Sequence, residues 1–190
     1  MKKELGAVTE VRMGRSRFGP IAVAWSVHRS RPRVVRVFLS EPGMPADRKT
    51  NKAYPDATLA SCSELDRLTR HIEAFLDGED IRFGLGIVRL DLCSPLQQRV
   101  LRAEHAIPRG RLSTYGRLAR HLGVPKGARA VGNCLARNPF PIVIPCHRAI
   151  RSNGTLGGFQ GGTAMKRALL EMEGIRFDRS GRAVAADLFY

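Results

Sequence analysis

The run Pro145-Cys146-His147-Arg148 places a thiol between a proline and two basic side chains. A thiol of ordinary acidity is only a few per cent ionised at neutral pH, so a nucleophilic cysteine needs a base. A neighbouring imidazole supplies one, and nearby cations favour the thiolate. The preceding Ile142-Val143-Ile144 predicts a short apolar strand. Successive strand side chains point to opposite faces, so contact between Cys146 and His147 requires a turn there or a bridging water. The imidazole in turn wants a carboxylate, and Glu171 and Glu173 are the nearest downstream. On this chemistry alone, a buried core thiol is an equally good reading of Cys146. Cys62, Cys93 and Cys134 form no CxxC pair with it or with each other, and the five histidines show no HxH or HxxxH spacing. Neither a disulfide framework nor a metal site is expected, and no cofactor is implied.

The surroundings of this motif are basic. The chain of 190 residues carries 32 Lys and Arg against 17 Asp and Glu, a formal net charge of +15. The charge is concentrated: the 66 residues from His105 to Leu170 hold 11 Lys or Arg and no Asp or Glu. Such a stretch fits a polyanionic partner, because each neutralised phosphate releases condensed counterions. The alternative is a solvated basic face. A hydrophobic content of 43% suits a folded core and argues against general disorder. No apolar run reaches membrane-spanning length, and the opening MKKELGAVTEVRMG lacks an apolar core after its lysines. A monomer in the cytoplasm, or the nucleus of a eukaryote, is expected.

The elements that would position the motif fall into two halves. Gly19–Ser26 and Val34–Ser40 read as strands, residues 41–60 as a loop of little regular structure, and Ser61 with Glu64 as a capping box. Leu65, Leu68, Ile72, Phe75 and Leu76 then recur at helical spacing, and Ile81, Phe83, Leu85 and Ile87 alternate as in a strand. Ser94-Pro95 with Gln97 opens a helix, so a boundary is expected near residue 93. Downstream, Thr114 caps a helix ending at Gly123, VPKG makes a turn, and Lys126 to Arg137 forms a second helix: a helix-turn-helix pattern. That second helix is rich in small residues (Gly127, Ala128, Ala130, Gly132), which suits either close helix packing or close approach to nucleic acid with Arg129 projecting. Thr163 to Gly174 predicts a last helix, and Ile175 to Val184 a hairpin around Arg179-Ser180-Gly181.

The segments STYGRLA, ARAVGNCLARNP, PIVIPCHRAI and LLEMEG, running almost continuously from Ser94 to Gly174, resemble the O6-alkylguanine-DNA alkyltransferase family. The resemblance is looser upstream, in RFGPIAVAWS and RVVRVFLS. It implies an α/β, RNase H-like domain over residues 1–93 and a mainly helical, winged helix-turn-helix alkyl-acceptor domain over 94–190. It implies DNA repair by direct reversal. Cys146 would take the alkyl group from O6-alkylguanine in double-stranded DNA, with O4-alkylthymine a second candidate, and would not be regenerated. His147 would be the base, acting through a water and polarised by Glu173. Asn138 would brace this network, and Tyr115 would crowd the target phosphate and hydrogen-bond the guanine. Arg129 would fill the gap left by the flipped nucleotide, and Ala128, Ala130 and Gly132 would let the helix lie close in the minor groove. Lys126 and Ser152 would contact phosphates, and Phe159 and Gln160 would line the pocket with Tyr115. Ala149 stands where the family more often has a larger aliphatic, and Phe159 where tyrosine is common, which bears on substrate range. The amino-terminal zinc of some relatives is not expected, since the first 60 residues hold no cysteine and one histidine.

Other classes fit less well. A non-enzymatic binder of alkylated DNA would not need Cys146. A sequence-specific winged-helix regulator would need larger polar side chains where this chain has Gly and Ala. A papain-like hydrolase would need a histidine remote in sequence and an oxyanion hole.

Overall fold

The computed structural model describes residues 8–184 and 188–190, and its chain divides into two compact units. One comprises the chain before Ser94 together with Pro139–Val143; the other comprises Ser94–Asn138 and Ile144–Tyr190.

The first unit is a four-stranded sheet with two helices. Strands β1 (Glu10–Ser16), β2 (Gly19–His28) and β3 (Arg31–Leu39) form an antiparallel meander. After helix α1 (Ala46–Ala53), the short β4 (Thr58–Leu59) pairs in parallel with β1, giving the order β3-β2-β1-β4. Ile21 to Ser26 of β2 are all buried, as a central strand covered on both faces requires. Val11, Ala22, Ala24, Phe38 and Ala46 make one of its clusters. Helix α2 (Ser63–Leu76) packs on β1 with Leu65, Leu68, Ile72, Phe75 and Leu76 buried. Gly14 makes this approach possible: a Cβ there would stand 2.6 Å from the Thr69 methyl and 2.8 Å from Ile21.

Three expectations for this half are corrected. Residues 41–60 contain α1 and β4. Helix α1 starts after Pro45, and Ser40 Oγ accepts from the Ala46 amide at 3.0 Å, a long-range cap that no local pattern announces. Ser61 and Glu64 do not form a capping box, because Ser61 donates to Asp66 and the cap position is Cys62. Finally, 81–87 is not a strand: Leu85–Ile87 is a 3-10 turn, and only Val88 bridges to the sheet, at Val34.

The second unit is mainly helical. Helix α3 (Pro95–His105) begins as expected, with Ser94 Oγ accepting from Gln97 N at 3.3 Å. A two-residue strand β5 (Ser113–Thr114) leads into α4 (Tyr115–His121), capped by Thr114 Oγ1 on Arg117 N at 3.2 Å. Gly123, at φ +73°, ends the turn after α4. Helix α5 (Ala128–Ala136) follows, burying Val131 and Leu135. Strand β6 (Ala149–Ile150) pairs in parallel with β5, α6 spans Gly162–Met172, and β7 (Arg176–Phe177) and β8 (Ala183–Val184) form the expected hairpin. Leu112, Ile150, Leu170 and Ile175 form a core with Leu156, Phe177, Ala183 and Leu188 packed on it. Among the described residues no helix is long and apolar enough to cross a membrane.

Candidate active site

The expected strand at Ile142–Ile144 is absent, and its absence answers the geometric objection to a Cys-His pair. Ile142 adopts φ +73°, Pro145 sits at ψ 59°, and Cys146–Arg148 forms a 3-10 turn. Arg148 N donates to Pro145 O at 2.9 Å, so consecutive side chains no longer alternate as on a strand. Two prolines, one β-branched residue forced to positive φ and a brace explain the departure from apolar-run periodicity. The brace is Asn138, whose Nδ2 donates to Ile144 O at 3.0 Å and so ties together the two ends of the 139–143 segment.

Behind the turn lies a buried charge network. His147 is fully buried, and its Nε2 donates to Glu173 Oε1 at 2.9 Å. Glu173 follows directly on α6 and is also gripped by Arg148, whose Nη2 and Nε reach its oxygens at 2.8 and 3.0 Å. Arg148 Nη1 donates to Ile107 O at 2.7 Å. Burial would raise the Glu173 carboxyl, but the hydrogen bonds and charges of His147 and Arg148 outweigh it and hold the group down to about 2. Burial lowers the His147 imidazole, partly offset by Glu173, so its neutral form persists at neutral pH. With Nε2 carrying its proton toward Glu173, Nδ1 holds the basic lone pair.

Cys146 is itself buried, and burial pushes its thiol up to about 11 despite a hydrogen bond from Asn138. A nucleophilic role for it would therefore require a base to make the thiolate at the moment of use. Tyr115 opens α4, and burial, with the Glu104 and Cys146 charges, raises its hydroxyl to about 12, leaving it a hydrogen-bond donor across the working pH range. A loop wraps this hydroxyl: a Cβ on Gly157, at φ +70°, would stand 2.5 Å from Tyr115 Oη. Gly157→Ala is therefore expected to cost about 1–2 kcal/mol of stability through strain and displacement of Tyr115, read by denaturant unfolding. Two residues on, the Phe159 ring meets His147 edge-on at 6.1 Å between centroids. Gln160 is half-buried beside it.

The remaining candidates lie apart from this network. Arg129 and Ala130 are exposed on α5, Ala128 and Gly132 half-exposed, and Lys126 exposed in the preceding turn. A Cβ on Gly132 would meet the Tyr115 ring at 4.0 Å, an ordinary contact, so close helix packing does not require glycine there. Gly127 has a different cause: a Cβ would stand 2.8 Å from Val124 O, so the turn itself demands it. Ser152 is exposed at the rim of an open depression of about 340 Å³ that Asn153 and Arg182 also line. Among the described residues no cluster of His, Cys, Asp or Glu could hold a metal ion, and no disulfide forms.

Residues 95–175 match the family "6-O-methylguanine DNA methyltransferase, DNA binding domain". A methylated-DNA–protein-cysteine methyltransferase of Methanothermobacter thermautotrophicus is 44% identical over 114 residues, 60% of this chain and 64% of that protein. The alignment thus spans a little under two thirds of that relative. The protein of the same name from Methanosarcina acetivorans is 37% identical over 120 residues, 63% of this chain and 76% of its own length. The chain belongs to the methylated-DNA–protein-cysteine methyltransferase family. Mycobacterium tuberculosis OGT, solved in complex with DNA, superposes with a TM-score of 0.65 at 31% identity, over 87% of this chain and 93% of that one. The family match covers every site residue named above, from Tyr115 to Glu173, and all of them lie in the second unit.

Three residues of the site had no role in the sequence reading. Arg148 was visible only as a nearby cation. Lys166 is fully buried, its Nζ donating to Ala149 O at 2.7 Å and Leu156 O at 2.6 Å. Its position one turn before Leu169 and Leu170, on the apolar side of α6, was the available signal. Glu104, on α3, is fully buried too, and is the last acid before the acid-free stretch.

Proposed function

We propose that the protein repairs DNA by transferring the alkyl group of O6-alkylguanine irreversibly to Cys146. The observation that carries this is the Cys146–His147 turn backed by buried Glu173. The neutral imidazole takes the thiol proton through a bridging water, and Glu173 stabilises the imidazolium. The Sγ attacks the alkyl carbon, a C–S bond forms, and the C–O6 bond breaks with its electron pair passing to the guanine. Tyr115 supports that departing charge by hydrogen bonding, and a proton from the imidazolium pool completes the neutral base. The product is a thioether with no route back to thiol, so each chain acts once.

Access to an O6 atom inside a duplex requires flipping, and the exposed, small-residue face of α5 with Arg129 suits insertion into a minor groove. Lys126 and Ser152 would hold phosphates without reading sequence. Double-stranded DNA as partner is supported by the basic second half and by the DNA complex of the Mycobacterium tuberculosis relative. We read the two units as an RNase H-like domain, supported by the β3-β2-β1-β4 order with its parallel last pair, and a winged helix-turn-helix domain built from α4, α5 and the β7–β8 hairpin. The division near residue 93 follows from the same reading.

Intact-protein and peptide mass spectrometry after incubation with an O6-methylguanine duplex tests the proposal. One methyl is expected on the Cys146 peptide and none in Cys146→Ala; an unmodified protein that still binds the lesion would make this a damage-recognition protein instead. Arg129→Ala is expected to slow transfer from duplex DNA about tenfold while leaving reaction with free O6-benzylguanine within about twofold, because only the duplex must be flipped. Equal losses would remove Arg129 from the flipping step.

A further inference from the structure

A second acid-free stretch lies in the first unit. Residues 11–40, which cover β2, β3 and most of β1, hold seven arginines and no Lys, Asp or Glu. Several of these guanidiniums are used within the fold: Arg12 pairs with Asp66 at 2.7 Å, Arg17 lies over the Phe18 ring and Arg36 over Phe38. Arg29, Arg31 and Arg33 differ. None of the three enters an ion pair among the described residues, and Arg33 Nη1 only donates to the neighbouring Pro32 O at 3.1 Å.

These three lie where the sheet narrows. The pairing of β1 with β2 stops at Glu10–Trp25, and β2 continues with β3 alone, from Ser26 opposite Arg33 to His28 opposite Arg31. The buried run of β2 ends at Ser26, and Val27 is 63% exposed. The result is a two-stranded ribbon that projects past the core. Residues two apart on a strand share a side, so the register puts His28, Arg31 and Arg33 on one face of it. The acid that senses the His28 charge is Asp91, and Arg89 already holds it through Nε and Nη2 at 2.8 and 2.7 Å. Arg29 and Ser30 close the ribbon at φ +50° and +61°. Both central positions of such a turn favour Asn and Gly, so the chain keeps an arginine where its backbone is strained.

We propose that the tip of this ribbon is a second DNA contact, in which Arg29, Arg31 and Arg33 hold backbone phosphates of the duplex whatever its sequence. It rests on double-stranded DNA as the partner, and it adds a contact from outside the unit that holds Cys146. The chemistry fits phosphate: a guanidinium stays charged at any working pH and offers a planar fork to two phosphate oxygens. A projecting two-stranded ribbon is narrow enough to enter a major groove or reach the backbone beside it. Each phosphate so neutralised releases counterions, which adds affinity without reading bases. A merely solvated tip gives the strained turn no use, since Asn-Gly would close the same ribbon with less strain.

The test is the affinity for an O6-methylguanine duplex, measured by fluorescence anisotropy over a range of salt concentrations. The unaltered protein is compared with a triple variant, Arg29→Gln, Arg31→Gln and Arg33→Gln. The slope of log affinity against log salt is expected to flatten by about 2 to 3, with affinity about tenfold or more lower at roughly 0.1 M salt. Arg67→Gln, Arg70→Gln and Arg82→Gln remove the same charge from exposed positions elsewhere in the first unit, and their slope is expected to stay within about 1 of the original. An unchanged slope in the tip variant, or equal flattening in the control, overturns the proposal. So do equal slopes with loss of binding to anionic lipid vesicles, which would assign the tip to a membrane surface. A second variant separates contact from folding. Arg29→Asn with Ser30→Gly gives the turn its favoured residues, so the thermal midpoint is expected to hold or rise while DNA affinity falls about threefold or more. A midpoint that falls together with affinity would mean that Arg29 serves the hairpin alone, and overturns the proposal. Binding judges the tip independently of chemistry: if the unaltered protein binds the duplex but transfers no methyl, the alkyl-transfer reading fails and the slopes still decide the tip.

Discussion

Glu173→Gln is expected to slow alkyl transfer about 100-fold or more and to destabilise the second unit by about 3 kcal/mol. Both effects follow from one carboxylate serving two partners. For His147 it fixes Nε2 as the protonated nitrogen and stabilises the imidazolium; an amide keeps a hydrogen bond but loses the charge and can present the wrong group to the ring. For Arg148 it is the only carboxylate within ion-pairing distance among the described residues, so the substitution leaves a buried guanidinium without a counter-charge. The pH dependence has a definite sign. The Glu173 carboxyl is held at about 2, below its ordinary value of 4.5. Its stabilisation is therefore fully present above about pH 4.5 and is lost as pH falls toward 2. Unfolding curves for the two proteins should be well separated at pH 7 and converge only as pH falls to about 2. Equal stability at pH 7, with transfer slowed less than tenfold, would remove Glu173 from both roles.

That network shows which parts of the site were legible in the sequence. Cys146, His147 and a downstream glutamate could be picked out by residue type, because their chemistry depends on few neighbours. Their geometry could not. Ile142-Val143-Ile144 reads as a strand by every local preference, and it is the restraint of Pro145 and the Asn138 brace that turns it into a bend. The same limit operates at α1, whose start depends on Ser40, and at Leu85–Ile87, where an alternating pattern closes as a 3-10 turn instead of a strand. Helices with a side-chain cap of their own were read to within a residue or two: α3 from Ser94 and Pro95, α4 from Thr114. Lys166 and Glu104 escaped for a different reason. A charged residue beside an apolar face is ordinarily a solvated flank, and only packing reveals that these two point inward.

Glu104→Leu is expected to stabilise the protein at pH 7, in the opposite direction to Glu173→Gln although both remove a buried acid. The Glu104 carboxyl titrates near 8 in the folded chain against 4.5 when exposed. Between those values the folded state binds a proton that the unfolded state has released, so stability falls as pH rises from about 4.5 to about 8. At pH 7 this penalty is about 3 kcal/mol. Leucine removes it and keeps the volume apolar. Denaturant unfolding at pH 7 should show a gain of about 2–3 kcal/mol that shrinks toward pH 4.5; an unchanged or lower stability at pH 7 would mean that the carboxyl has a partner in solution that satisfies it. Two buried acids of one unit thus act in opposite senses, because the Glu173 carboxylate has His147 and Arg148 for its charge while the Glu104 oxygens have no hydrogen-bond partner among the described residues.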